Sequence, residues 1–121
     1  MFITQVVRAL GIRYPFKIEL VSKGHKKAHA YYWSICKNGG KGKLHSHFIR
    51  IYLGDITEDS RSYEQILAHE FIHAWQEEQG IDEYQEKNGV HMFHGPQFIE
   101  MADKLGYILG LENIYLKGID L

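Results

Sequence analysis

The segment from Ser62 to Gly80 constrains the fold most strongly, because it predicts one long helix with defined ends. Ser62 and Gln65 form a capping-box pattern, in which each side chain satisfies a backbone N–H group at the start of a helix. The residues Tyr63–Gln79 contain no proline or glycine, and Gly80 suits the left-handed residue that follows a helix. We therefore expect a helix over Tyr63–Gln79.

The composition is typical of one globular domain. The chain has 121 residues, of which 45% are hydrophobic and 24% are charged, so we expect residues 1–121 to form a single domain. The only cysteine, Cys36, excludes an internal disulfide and a cysteine-rich zinc ribbon, so a metal ion must be bound by histidine or carboxylate. No apolar stretch reaches the roughly 18 to 20 residues of a membrane span, and Met1–Leu10 does not resemble a signal peptide. We therefore expect a cytoplasmic protein.

The spacing of hydrophobic residues predicts the remaining elements. Met1–Leu10 is expected to form a short N-terminal helix. Strands are predicted at Phe16–Leu20, Ala28–Ile35 and Phe48–Leu53, with a glycine-rich hairpin turn at 38–42, then a loop at 81–89 and a helix from Pro96 to Gly106. The tail, residues 107–121, is ambiguous. The sequence thus predicts an α+β fold with a three-stranded, mostly antiparallel sheet.

Two histidines on the long helix carry the clearest chemical signal. His69 and His73 are four residues apart, so their imidazoles lie on one face of the helix and can bind one metal ion. Glu70 lies beside this pair, where it suits a general base that takes a proton from a water at the metal. We expect one zinc ion per chain, with Glu70 as the catalytic residue. The alternative is a pair of histidines that are satisfied by hydrogen bonds alone.

A catalytic zinc ion needs a third protein ligand, which should lie downstream of the helix. The candidates are His91, His94, Glu86 and Glu100. We favour His94, because it directly precedes a Gly-Pro pair that begins the next helix and is therefore held by a rigid element. His91 is then either a further donor beside the site or an ordinary loop histidine. The candidates for stabilising an oxyanion, or for supporting the metal ligands from outside, are His91, Tyr84 and Tyr32.

Charge is distributed unevenly along the chain. Residues 1–54 contain ten of the 14 Lys and Arg residues but only one of the 15 acidic residues, Glu19. Aromatic residues are interleaved with these cations, and such a mixture can bind a polyanion such as DNA. The alternative is that the lysines are solvated and that the two halves neutralise each other. The candidate DNA-binding residues are Lys23, Lys26, Lys27, Lys37, Lys41 and Lys43. The other histidines of this half, His25, His29, His45 and His47, are expected to face solvent or phosphate.

Two segments of the chain resemble a known protein family. The run His69-Glu70-Phe71-Ile72-His73-Ala74-Trp75-Gln76 and the later run His94-Gly95-Pro96-Gln97-Phe98 are similar to the SprT-like zinc metalloproteases, which include the Spartan-type proteases. The similarity extends over about Ala28 to Gly106. It implies a small zincin-like core in which His69, His73 and His94 bind zinc and Glu70 is the catalytic base. It also implies action on DNA-associated proteins. Many members of the family continue into a cysteine-rich zinc ribbon, which is not expected here because Cys36 is the only cysteine.

These features predict a zinc-dependent endopeptidase. We expect an extended substrate to pair with an edge strand of the sheet, for which Phe48–Leu53 is the candidate. Two other functions stay open: a nucleic-acid-binding module with a structural or vestigial zinc site, and a metallohydrolase that acts on another substrate, such as a peptidoglycan peptide or amide. A closed site with four protein ligands would indicate the structural role, whereas three histidines beside a glutamate indicate an open catalytic site.

Overall fold

The computed structural model describes residues 1–23, 30–36, 43–55, 61–87 and 90–117, without the side chains of residues 55, 85–87 and 90–92. In chain order, the described elements are α1 (Phe2–Leu10), β1 (Phe16–Val21), β2 (Ala30–Cys36), β3 (Leu44–Tyr52), a short 3-10 turn (Leu53–Asp55), α2 (Tyr63–Gln79), β4 (Gln85–Lys87), β5 (Val90–Met92) and α3 (Pro96–Leu109). The described part is therefore α+β, as the sequence predicts, with three helices and a three-stranded sheet.

The three-stranded sheet is mixed, and β3 is its central strand. β1 runs parallel to β3, whereas β2 runs antiparallel to it on the other side. The predicted antiparallel pairing is therefore correct for one of the two strand pairs. The chain crosses from β1 to the far edge, forms β2 and then returns to the centre as β3, which places β3 parallel to β1 without a direct turn between them.

The central position of β3 corrects the prediction for the substrate-binding edge. The candidate segment Phe48–Leu53 lies mainly in β3, which pairs with β1 on one side and with β2 on the other. A strand that is hydrogen-bonded on both sides has no backbone groups left for a further strand. Within the described residues, β2 and β1 are the edges of this sheet.

Both ends of α2 match the sequence prediction. The Ser62 side chain accepts a hydrogen bond from the Gln65 N–H at 3.2 Å, and the Gln65 side chain accepts one from the Ser62 N–H at 2.6 Å. The helix ends before Gly80, which has the left-handed backbone conformation. No helix in the described part of the chain combines the length and the hydropathy that crossing a bilayer demands.

The core forms where α2 packs against the inner face of the sheet and against the other two helices. Its fully buried members include Phe71 and Leu67 of α2, Ile49 and Ile51 of β3, Val6 of α1, and Phe98 and Leu105 of α3. Each such side chain contributes about 1.5–3 kcal/mol through burial. Since α2 is surrounded by these elements, its histidines are held on a rigid backbone.

Several element ends differ from the prediction. β3 starts at Leu44 rather than at Phe48, and α3 continues past Gly106 to Leu109. The predicted loop at 81–89 contains the short strand β4, and its partner β5 follows directly after the loop. Gly106 lies inside the helix, where a Cβ atom would lie 2.5 Å from the carbonyl oxygen of Leu111, so a larger residue would collide with the backbone. The predicted glycine-rich turn and the first two residues of the predicted strand Ala28–Ile35 lie outside the described residues.

Candidate metal centre

Three imidazoles meet between α2 and the start of α3. His69 and His73 lie one turn apart on α2, and His94 lies two residues before the first residue of α3. One nitrogen of each ring lies within 4.8 Å of the others, and the Nε2 atoms of His69 and His94 are 3.0 Å apart. Tetrahedral zinc with bonds of about 2.0–2.1 Å separates its ligand nitrogens by about 3.3 Å. These three histidines are therefore close enough to bind one metal ion.

The backbone fixes which nitrogen of His69 faces this centre. Its Nδ1 atom lies 2.7 Å from the carbonyl oxygen of Ile114, and a carbonyl oxygen can only accept a hydrogen bond. The hydrogen therefore resides on Nδ1, which donates it to Ile114. The Nε2 lone pair is left to face His94, as a metal ligand requires.

A single aromatic side chain, Phe98, contacts all three imidazoles. Its ring centroid lies 4.8 Å from that of His69 and 4.7 Å from those of His73 and His94. Phe98 is fully buried, and Tyr115 packs against both Phe98 and His94. This apolar wall limits rotation of the imidazoles and lowers the local dielectric constant, which strengthens the interaction of the histidines with a cation.

The start of α3, and with it His94, is held by Glu83, which the sequence did not single out. The Glu83 carboxylate accepts hydrogen bonds from the backbone N–H groups of Gln97 and Phe98, each at 2.9 Å. It also accepts one at 2.7 Å from the side chain of Gln76, a buried residue of α2. An acidic group at a helix N-terminus satisfies unpaired N–H groups and interacts favourably with the helix dipole. Glu83 thus connects the two elements that carry the histidines.

Gly95 provides the space that this arrangement needs. It precedes α3 and contributes no side-chain cap. A Cβ atom at this position would lie 2.6 Å from the Cδ atom of Glu83, so any larger residue would displace the carboxylate. A helix that begins with Gly-Pro and has no polar N-cap residue was the sequence signal for a cap from elsewhere in the chain, although it does not identify Glu83.

The other ligand candidates either lie apart from the three histidines or have side chains outside the described part of the structure. Glu100 is exposed on α3, and the group found among the described residues consists of His69, His73 and His94 alone. Glu86 and His91 pair with each other in the strands β4 and β5, but their side chains lie outside the described part. Glu70, the predicted base, is 7% exposed and follows His69 on α2.

The two tyrosines proposed as oxyanion donors have different surroundings. The ring of Tyr32 stacks on that of His73, with centroids 6.2 Å apart, and its hydroxyl oxygen lies 2.7 Å from Nδ1 of His47. Burial, together with the charges of Glu77 and Glu78, raises the pKa of Tyr32 above its ordinary value of about 10. Its hydroxyl group therefore stays protonated at neutral pH and is directed at His47. Tyr84 is 41% exposed, and its ring packs against Phe93.

The prediction that His47 faces solvent or phosphate is wrong, because this side chain is fully buried. Ile49 and Ile51 of β3 point into the core, and the two-residue period of a strand places His47 on the same face. This period was the signal that would have identified it. His45 is exposed, as expected, whereas His25 and His29 lie outside the described residues.

The outer face of the sheet carries aromatic rings and an arginine. The Arg50 guanidinium lies 5.2 Å from the ring centroid of Trp33 and 5.4 Å from that of Phe48, and its Nε atom pairs with Glu19 at 2.7 Å. Trp33 is 41% exposed and stacks with Tyr31. Of the candidate DNA-binding lysines, Lys23 and Lys43 are exposed. The remaining ones, Lys26, Lys27, Lys37 and Lys41, lie outside the described residues.

Comparison with known proteins adds no identification. No protein-family model, no curated protein and no solved structure matches the chain. The resemblance to the SprT-like metalloproteases is therefore a prediction from the two histidine-containing segments. The geometry of the three histidines is an independent observation, which depends on the structure alone.

Proposed function

We propose that this chain is a zinc-dependent endopeptidase of the SprT-like type. The observation that carries the proposal is the cluster of His69, His73 and His94. Three protein ligands are typical of catalytic zinc, which keeps its fourth position for water or substrate. Imidazole also suits copper, iron and nickel, but two histidines at this spacing on a helix, with a glutamate beside the first, favour zinc.

Each residue around the cluster has a role in this proposal. Zinc, when bound, supplies a Lewis acid that lowers the pKa of a water molecule to about 7 and polarises the scissile carbonyl group. Glu70 accepts the proton of the attacking water and delivers it to the nitrogen of the leaving amine. His69 is held in the required tautomer by Ile114, and Phe98 excludes water from one side of the histidines.

The proposed substrate is an extended peptide that pairs with β2. Among the described strands of the three-stranded sheet, β1 and β2 each have a neighbour on one side only, and it is β2 that contributes Tyr32, which contacts His73. A peptide added to the edge of β2 would form backbone hydrogen bonds with it and would lie beside the histidines. Such binding depends little on side chains, which suits a protease that acts on unfolded segments. This assignment replaces the earlier candidate, Phe48–Leu53.

The substitution Glu70→Gln tests the protease function. It removes the base but retains a side chain of the same size, so we expect normal zinc content and a loss of cleavage of about 100-fold or more. Cleavage is measured on an unfolded protein substrate, with zinc quantified in the same samples. Glu64→Gln is the matched control, because Glu64 is an exposed acid on the same helix. Wild-type cleavage by the Glu70→Gln protein would refute the assigned role.

We also propose that nucleic acid binds to the outer face of the sheet, which supports action on DNA-associated proteins. The supporting observation is the exposed ring of Trp33 beside Phe48 and the Arg50 guanidinium. Bases stack on such aromatic rings, and nearby cations attract the phosphates. If cleavage is absent, this binding would constitute the alternative function, with a structural or vestigial metal site.

Single-stranded oligonucleotide binding tests this surface. Loss of one stacking ring costs about 1–3 kcal/mol, so Trp33→Ala should weaken the affinity by about 5- to 150-fold without a change in zinc content. Tyr107→Ala provides the control, since Tyr107 is 92% exposed on α3 and does not belong to the sheet. Affinity should also fall steeply as salt rises. Equal affinities of the wild-type and Trp33→Ala proteins would exclude this surface.

A further inference from the structure

A buried chain of polar side chains leads from α2 to the edge strand β2. Nε2 of His47 lies 2.8 Å from Oε2 of Glu78, and Nδ1 of His47 lies 2.7 Å from the hydroxyl oxygen of Tyr32. The side chain of His47 is fully buried, and that of Glu78 is 2% exposed. Polar groups that are buried to this extent need hydrogen-bond partners, so the arrangement is a fixed part of the structure.

The direction of each hydrogen bond follows from Glu78. Its carboxylate accepts hydrogen bonds from the backbone N–H groups of Arg13, at 2.9 Å, and Tyr14, at 3.1 Å. An ionised carboxylate only accepts, so Nε2 of His47 donates to it. In the neutral form of the imidazole, Nδ1 then accepts the hydrogen of the Tyr32 hydroxyl group. One tautomer of His47, with its hydrogen on Nε2, therefore fits both hydrogen bonds of its ring.

This series of hydrogen-bonded side chains ends at one of the histidines of the metal centre. Beyond its hydroxyl group, the ring of Tyr32 lies against the ring of His73, with an interplanar angle of 23°. Tyr32 belongs to an edge strand, whereas Glu78 lies on the same helix as His73. The polar chain therefore connects the edge strand back to the helix that carries His73 and fixes the distance between them.

We propose that Tyr32 is a positioning residue, whose ring, anchored by His47 and Glu78, fixes the orientation of the His73 imidazole. His69 is oriented by a backbone carbonyl group, and the flat face of Tyr32 has the corresponding role for His73. A small rotation of an imidazole directs its lone pair away from the ion, so groups around the ligands contribute strongly to metal affinity. The inference rests on the proposed function only in that His73 binds a metal ion.

Cobalt(II) binding tests this role without a protease assay. The visible absorption of protein-bound cobalt reports the geometry of its ligands, and competition with a chelator reports the affinity. Tyr32→Leu removes the ring, and we expect the cobalt affinity to fall about 10- to 100-fold, with an altered spectrum. Tyr32→Phe keeps the ring but loses its anchor, so it should show a smaller loss of affinity and an intermediate spectrum. His47→Gln should resemble Tyr32→Phe.

The control variant is Tyr31→Leu, which makes the same substitution one residue earlier on β2. The side chain of Tyr31 lies on the opposite face of the sheet, where it contacts Trp33. The Tyr31→Leu protein should therefore retain wild-type cobalt affinity. Circular dichroism of each metal-free variant shows that it is folded, and Tyr32→Phe, the most conservative change, keeps the test decisive if Tyr32→Leu does not fold.

The outcomes separate this inference from the proposed function. Wild-type affinity and spectrum in both Tyr32→Phe and Tyr32→Leu would overturn the positioning role and leave the protease proposal intact. A wild-type protein that binds cobalt, with the expected differences among the variants, but cleaves no protein would overturn the protease proposal alone. A wild-type protein that binds no cobalt would overturn both.

Discussion

The Nδ1 atom of His69 lies 2.7 Å from the carbonyl oxygen of Ile114, which connects the central helix to the segment after α3. This contact sets the tautomer of a candidate metal ligand from a residue 45 positions away. Because the partner is a backbone atom, the contact depends on how the Ile114 side chain anchors its segment. That side chain is 2% exposed in the core.

The substitution Ile114→Ala should therefore destabilise the protein. Removal of a buried isoleucine costs about 2–5 kcal/mol, since it loses hydrophobic transfer energy and leaves a cavity. Ile108→Ala should change the free energy of unfolding by less than about 0.5 kcal/mol, because Ile108 is 55% exposed. Urea unfolding of the metal-free proteins measures both. Similar unfolding midpoints for the two variants would contradict the burial of Ile114.

Loss of the Glu83 carboxylate should affect both stability and metal binding. In Glu83→Ala, the N–H groups of Gln97 and Phe98 lose their acceptor, which should cost about 1–3 kcal/mol. The start of α3 is then less well held, so we expect zinc affinity to decrease about 10-fold or more. Glu100→Ala, which removes an exposed acid from the same helix, should leave zinc affinity unchanged. If the two variants bound zinc equally well, Glu83 would have no part in placing His94.

The substitution Gly95→Ala should disturb the same contact from the opposite side. A Cβ atom 2.6 Å from the Glu83 carboxylate carbon forces that side chain to move, with an expected cost of about 1–3 kcal/mol. The cost should be smaller in a Glu83→Ala background, where the obstructing carboxylate is absent. A double-mutant cycle in urea unfolding measures this difference. Strictly additive effects would show that Gly95 is needed for another reason.

The local patterns of the sequence predict the long helix α2 and the candidate metal ligands well. The capping box of Ser62 and Gln65, the spacing of His69 and His73, and the Gly-Pro pair after His94 all act within a few residues. Such interactions depend on helix geometry alone, so they can be inferred without knowledge of the fold. The cluster of three histidines follows from them once the two helices are packed together.

The supporting residues could not be inferred in the same way. Glu83 is separated from α3 in the sequence by the strands β4 and β5. Glu78 receives hydrogen bonds from Arg13 and from a histidine of the central strand. These contacts depend on tertiary packing, which leaves no periodic signal at the acidic residues themselves. The burial of His47 was the exception, because the alternation with Ile49 and Ile51 already indicates its inner face.

The strand order was also beyond the reach of local patterns. Alternation of polar and apolar residues identifies strands, but it does not determine which of them is central or parallel. The pairing of β1 with β3 requires the chain to pass β2 first, and this order moves the sheet edge from Phe48–Leu53 to β2. The proposed substrate strand changes accordingly.

The most direct test of the metal centre is the zinc content per chain, measured by native mass spectrometry on the wild type and on His94→Ala. We expect one zinc ion in the wild type and clearly weaker retention in His94→Ala, because one of three nitrogen ligands is lost. His45→Ala, which removes an exposed histidine from β3, should retain zinc as the wild type does. A wild type without zinc after metal supplementation, or equal retention in His94→Ala, would contradict the three-histidine centre.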